Sequence, residues 1–307
     1  MRLSAALLGI GLMASAPALA GDVIELRQSY AGHYVVPTTI GGRGPFPFIL
    51  DTGANHTAIL EALAYQLNLS FEDGIPETYH GLTGSASTVI LGLSALDFGA
   101  GPSPIDRAIT IDAEINADLV AFGILGTDVF GDSRVEIDLA EYTLEIDPSE
   151  DWGQGRFNGY IDRLGMMRVN GSVNGIETVF VVDTGATRSF INEALAEAIM
   201  TDRQFRNIEV MGLGPQTGRA GEVHVGTIRF SDLCVRNARA LATDFPIFET
   251  FGLHETPAMI IGLDLLDHGQ IRIDFGAGTF NVDSSAACRR RSTSLFERNA
   301  VIDQWQR

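Results

Sequence analysis

Short apolar runs, each stopped by an aspartate or a glycine, punctuate the chain, and they come in two series. Phe46-Pro47-Phe48-Ile49-Leu50 ends on Asp51, and Val179-Phe180-Val181-Val182 ends on Asp183. Runs of this length bounded by turn residues predict buried strands. Each is followed by a helix-like stretch, Ala58 to Leu69 in one series and Phe190 to Met200 in the other. Later, Phe122-Gly123-Ile124-Leu125-Gly126 and Met259-Ile260-Ile261-Gly262 each precede an aspartate with an apolar pair, Asp128-Val129-Phe130 and Asp264-Leu265-Leu266. Alternation closes both series, Arg134 to Asp138 with Tyr142 to Ile146, then Gln270 to Asp274 with Thr279 to Val282. This is the pattern of hairpins with one buried face. The predicted fold class is all-β with short helices.

The two series are copies. Asp51-Thr52-Gly53-Ala54 is matched by Asp183-Thr184-Gly185-Ala186, and the offset is 132 residues at the aspartates (51 to 183) and 136 at the later glycines (126 to 262). Two such tetrapeptides behind apolar strands would arise by chance in far fewer than about one chain in a hundred, so the two carboxylates are read as one shared site on a duplicated scaffold. Both copies also carry a Gly-rich turn, Tyr79-His80-Gly81-Leu82-Thr83-Gly84 and Met211-Gly212-Leu213-Gly214-Pro215. Glycines there permit positive φ at a hairpin tip.

The N-terminus lies outside the repeat. Met1-Arg2, a largely apolar stretch from Leu3 to Ala14 and Ala18-Leu19-Ala20 read as a cleaved signal peptide, with the mature chain starting at Gly21 and working in the periplasm. No other stretch approaches the length of a membrane span. The expected division is 1–20 signal peptide, 21–147 first lobe, 148–159 polar Pro/Gly-rich linker, 160–283 second lobe and 284–307 tail. That tail contains Arg289-Arg290-Arg291 and reads either as a solvated extension or as an arm that packs on the first lobe or touches anionic lipid. Every one of the 21 basic residues is arginine, against 39 acidic ones, for a formal charge of −18. Such a surface repels nucleic acid. Cys234 and Cys288 fit one disulfide in an oxidising compartment, with two buried thiols as the alternative.

The residues from Tyr34 to Val282 resemble the aspartic peptidase superfamily, the retropepsins and pepsins. Alanine after Asp-Thr-Gly is retropepsin-like, Thr57 and Ser189 match the small hydroxyl residue of that motif, and Ile124-Leu125-Gly126 and Ile260-Ile261-Gly262 resemble its second signature. The resemblance implies a bilobal fold around a central cleft, two retropepsin-type lobes fused as in pepsin and working as a monomer. It implies an endopeptidase without cofactor or metal, in which Asp51 and Asp183 activate a water against a protein or peptide held extended. Thr52 and Thr184 would then bond across to the opposite loop, and Gly53 and Gly185 would allow its close approach. Tyr79, Gly81 and Gly84, with Gly212 and Gly214 opposite, become candidate flaps, and the lack of a second tyrosine suggests one working flap.

Other chemistries find less support. The histidines His33, His56, His80, His224, His254 and His268 have no ligand spacing, and they are read as solvent-facing or structural. No Gly-x-Ser-x-Gly elbow is present. The alternative of another class is a non-catalytic envelope protein that keeps the fold to bind peptides.

Overall fold

A computed structural model describes residues 21–112, 121–150, 152, 157–200, 204–212, 217–266, 269–284 and 288–290. The stretch 1–20 read as a signal peptide, Gly214, most of the stretch read as a linker and the tail beyond residue 290 lie outside the described residues. Among the described residues no helix is long and apolar enough to cross a membrane.

The duplication is written in the topology. In the first copy, strands run in the order Tyr34–Ile40, Arg43–Leu50, Gly123–Leu125, Ala58–Leu60, Arg107–Ile111, Gly84–Gly92, Ile75–Gly81. In the second, Met167–Val173, Ile176–Val182, Ala258–Ile261, Phe190–Ile191, Leu233–Ala242, Thr217–Phe230 and Gln204–Met211 follow the same order. Both Gly-ended apolar runs pair in parallel with the strand that leads into an Asp-Thr-Gly loop: Gly123–Leu125 beside Phe48 to Leu50, and Ala258–Ile261 beside Val179 to Val182. Parallel partners must be covered on both faces, which explains why these runs are continuously apolar.

The helix-like stretches begin later than their patterns predict. Ala58, Ile59 and Leu60 form a strand between Gly123–Leu125 and Arg107–Ile111, and the helix spans only Glu61–Leu67. All three strand residues are buried. A surface helix cannot bury three consecutive positions on one stripe, whereas a central strand buries both faces. Phe190–Ile191 is likewise a strand, and the second helix spans Glu193–Ala198. Asn192 caps it by accepting from the Leu195 N–H at 3.0 Å, while its amide donates to the Leu253 and Thr256 carbonyls.

One sheet joins the copies. The closing hairpins pair edge to edge, Arg134–Asp138 antiparallel to Gly269–Asp274, with Val135 opposite Ile273 and Ile137 opposite Ile271. These four side chains are fully buried. On the other face Arg272 pairs with Glu136 at 2.7 Å. Asp22–Glu25 extends this sheet on one side by pairing with Thr143–Ile146, and Gly159–Ile161 extends it on the other by pairing with Thr279–Ser284. A Cβ at Gly159 would stand 2.4 Å from the Phe280 ring, so this crossing requires glycine.

Cys234 and Cys288 are disulfide-bonded, 54 residues apart. Arg289–Arg290 then pairs in parallel with Val235 and Arg236, so the start of the tail lies on the second copy rather than on the first.

Because the bridging sheet is shared, the copies should unfold together. Replacing Ile271 with Ala should cost about 3 kcal/mol and should lower the melting temperature of the whole protein in one calorimetric transition. Two separate transitions would show that the shared sheet does not couple the halves.

Candidate active site

Each apolar strand releases its loop at a fixed point because the neighbouring parallel strand holds the loop's first N–H. The Asp51 N–H donates to the Leu125 carbonyl and the Asp183 N–H to the Ile261 carbonyl, both at 3.1 Å. One residue on, Gly126 and Gly262 pass directly behind the loops. A Cβ on Gly126 would lie 2.6 Å from the His56 carbonyl carbon, and one on Gly262 would lie 2.6 Å from the Ala186 and Arg188 carbonyl oxygens. In each copy the apolar-glycine segment therefore backs that copy's own Asp-Thr-Gly loop.

The two loops meet through their threonines. The Thr52 N–H donates to Thr184 Oγ1 at 3.0 Å, and the Thr184 N–H donates to Thr52 Oγ1 at 3.0 Å. Each hydroxyl then donates onward to the strand before the opposite aspartate, Thr52 to the Val182 carbonyl at 3.0 Å and Thr184 to the Leu50 carbonyl at 2.7 Å. Both side chains are buried with every polar atom used, so neither loop can shift without stranding donors in the interior.

That interlock brings Asp51 and Asp183 into hydrogen-bonding contact with each other. A Cβ on Gly53 would sit 2.5 Å from the Asp183 carboxyl carbon, and one on Gly185 would sit 2.3 Å from that of Asp51. Each aspartate also accepts from its own loop, Asp51 from the Gly53 N–H at 2.8 Å and Asp183 from the Ala186 N–H at 3.0 Å. Burial pushes the Asp51 carboxyl well above the usual carboxylate range, and the Asp183 charge beside it pushes in the same direction, against the Gly53 and Ala54 N–H groups. Burial also raises Asp183, while the Ala186 N–H, the bond from Asp51 and the Gly185 N–H hold it down. Like charges this close disfavour ionisation of both, so the titration belongs to the pair rather than to either aspartate.

Behind the loops lies a second ring of polar contacts whose residues repeat in the sequence but whose partnership the sequence left unread. Thr57 donates from its hydroxyl to Asp128 at 2.7 Å and accepts from the Gly126 N–H at 3.1 Å. Ser189 does the same with Asp264 at 2.5 Å and Gly262 at 2.9 Å. His56 and Arg188 close these rings differently. His56, 66% exposed, stands 3.9 Å from Asp128, whereas Arg188 is largely covered and pairs with Glu222 at 3.2 Å and Asp264 at 3.5 Å. Arg188 is therefore a structural cation of the second loop.

The dyad opens into a cavity of about 1480 Å³ lined by both copies, larger than the usual small-molecule site. The hairpin Ile75–Gly81/Gly84–Gly92 overhangs it, and its tip residue Leu82 packs against the second-copy cluster that includes Val210 and Ile247. Gly212 lies against the same tip, since a Cβ there would stand 2.9 Å from Thr83 Oγ1. The two Gly-rich turns thus meet. Of the glycines expected to need positive φ, Gly84 has it, at 150°, whereas Gly81 and Gly212 do not. Gly81 stays in the strand register opposite Gly84, leaving Leu82 and Thr83 to make the turn. Tyr79 lines the cleft half-buried and, among the described residues, bonds to neither aspartate; burial and the nearby Asp112 push its hydroxyl up.

Comparison with known proteins agrees with the duplication. A family model described as aspartyl protease matches residues 36–129 and again residues 169–265. No curated protein matches the chain.

If the threonine interlock sets the loop spacing, Thr184→Val, which keeps shape but strands the Thr52 N–H and the Leu50 carbonyl, should destabilise by about 2–4 kcal/mol in denaturant titration. A loss below about 0.5 kcal/mol would show that the loops are held by other contacts.

Proposed function

The chain belongs to the aspartyl protease family, and from that premise we propose that it is an endopeptidase in which Asp51 and Asp183 jointly activate a water against a peptide bond. The observation that carries this reading is the hydrogen-bonded carboxyl pair, buried, shared between two loops and sealed by the opposite glycines. With one proton between them, the ionised member removes a proton from the water while the protonated member donates to the carbonyl oxygen. The tetrahedral diol collapses, breaking its C–N bond, when the proton taken from water passes to the leaving amine and a diol hydroxyl returns its proton to the other carboxylate, so the pair ends with one proton as it began. A reading as a non-catalytic peptide binder leaves unexplained why both carboxyls and both glycines are retained.

The cleft favours an extended substrate. It runs between the copies beneath the hairpin of Tyr79 to Gly84, and closure of that hairpin would exclude water from the dyad. A periplasmic location is part of the same proposal, supported by the disulfide and by the leader-like pattern of residues 1–20. The lobe boundaries 21–147 and 160–283 follow the repeat, with the bridging sheet between them.

Two measurements test the reading. Asp51→Asn and Asp183→Asn should each lower kcat by at least about a thousandfold on a cleaved peptide, and the double variant should cost little more, because groups acting as a unit are non-additive. Retention of half the activity by either single variant would contradict a shared dyad.

The pH profile supplies the other. Below the lower apparent pKa of the pair no base remains, and above the upper one no acid remains. Burial and the Asp183 charge raise the Asp51 carboxyl, so kcat should follow a bell with its maximum at weakly acidic pH. A profile flat from acid into alkali would require another catalyst.

A further inference from the structure

Each copy braces the other's catalytic loop with the turn before its first long strand, and the two braces differ in chemistry. The second copy's turn is organised by Asp162, which accepts from the Leu164 N–H at 2.8 Å and the Met166 N–H at 3.0 Å. It touches the first loop where Asn55 donates from its side-chain amide to the Leu164 carbonyl at 3.0 Å, a contact between groups that do not titrate. The first copy's turn is closed by Ser29, whose N–H donates to the His33 carbonyl at 2.8 Å and whose hydroxyl accepts from the His33 N–H at 3.2 Å. It touches the second loop through Gly32, which faces the Thr187 methyl, and its His33 ring lines the cleft with Gly185 and Thr187 of that loop. Gly185 is the residue packed on the Asp51 carboxyl.

The Nδ1 atom of the His33 ring is buried without a hydrogen-bond partner. The titratable and charged groups on the elements around it are Asp51 and His56 on the first loop, Asp183 and Arg188 on the second, and Arg27, Tyr30 and Tyr34 on its own turn and flanking strands. The aspartates bond to each other and Arg188 to Glu222 and Asp264, and none of them meets Nδ1. A proton placed there would have no acceptor on the protein and would put a cation at a buried atom beside the second loop.

We propose that His33 is a positioning residue whose neutral imidazole holds the second catalytic loop in register with the first, and that charging this ring opens the brace and shuts the site down from the acid side. The proposal rests on the peptidase reading only for its activity readout. Burial pushes the His33 imidazole down from 6.5 to about 4, against the pull of the Gly185 backbone. The sign follows from linkage. Between pH 6.5 and about 4 the unfolded chain takes up a proton at His33 that the native state refuses, so the stability due to His33 is complete above pH 6.5 and is lost as pH falls to about 4.

The test uses the mature full chain with ¹³C at histidine Cε1, and His33→Gln, which keeps a side-chain N–H donor but cannot titrate. The signal missing from the variant should titrate near pH 4, an affinity for protons more than about a hundredfold weaker than that of a free histidine. Stability of the wild type should fall away from that of the variant between pH 6.5 and 4 and run parallel above pH 7. The acid limb of activity, normalised to each protein's maximum, should lie at least about half a pH unit lower in the variant, which retains the dyad limb alone. A His33 signal titrating at the free value, parallel stability curves throughout, or coincident acid limbs would each overturn the proposal. Should the variant not fold, the wild type decides alone: no histidine of the six titrating below pH 5 would overturn it. The titration and stability readouts stand even for a protein that cleaves nothing, so failure of the brace and failure of the peptidase reading are distinguishable.

Discussion

The distance at which two polypeptide loops can pass each other governs this molecule. Gly53 and Gly185 have no Cβ, and a Cβ at either would fall within 2.5 Å of the opposite carboxyl carbon, well inside contact distance. Removing that atom from both loops lets the two carboxyls approach each other. The approach is held by the crossed threonine bonds at 2.7–3.0 Å, and the threonines are held by strands whose parallel neighbours fix where each loop begins. Backing strand, threonine, glycine and aspartate form one chain of dependence, and it is built twice.

Duplication leaves each copy free to diverge where the shared chemistry does not forbid it. The rings behind the loops keep the same hydroxyl and carboxylate, Thr57 with Asp128 and Ser189 with Asp264, yet one is closed by an exposed histidine and the other by a covered arginine. The braces across the cleft diverge similarly, an amide on one side and an imidazole on the other. The charge states of the site pull stability in opposite directions. A carboxyl raised by burial favours the fold at low pH, and an imidazole lowered by burial favours it at high pH.

Much of this was legible in the residues because local spacing encodes it. Asp-Thr-Gly-Ala, the apolar-glycine runs and the closing alternations each occupy a few consecutive positions, and their recurrence at a near-constant offset marked the duplication. The helix starts misled because Ala58-Ile59-Leu60 is apolar and too short for its period to separate a buried strand from a helix turn. The bridging sheet was invisible for another reason. Val135 and Ile273 pair across more than a hundred residues, and nothing in an alternating strand names the edge that will cover it. His33 fell to the same limitation, since its neighbour Gly185 lies in the other copy and a lone histidine before a strand carries no signal of its own. Asp128 and Asp264 were visible as repeats, but only the folded backbone shows that they receive the hydroxyls of Thr57 and Ser189.

The central claim is that two aspartates from two copies hold one proton, and carboxyl NMR tests it most directly. In protein labelled with ¹³C at aspartate side-chain carboxyls, with Asp51 and Asp183 assigned through their Asn variants, both signals should respond to both steps of a two-step titration. One proton should remain on the pair at weakly acidic pH, with the upper step well above the ordinary value of 3.8. Two independent single-step titrations near 3.8, each confined to its own residue, would contradict the account.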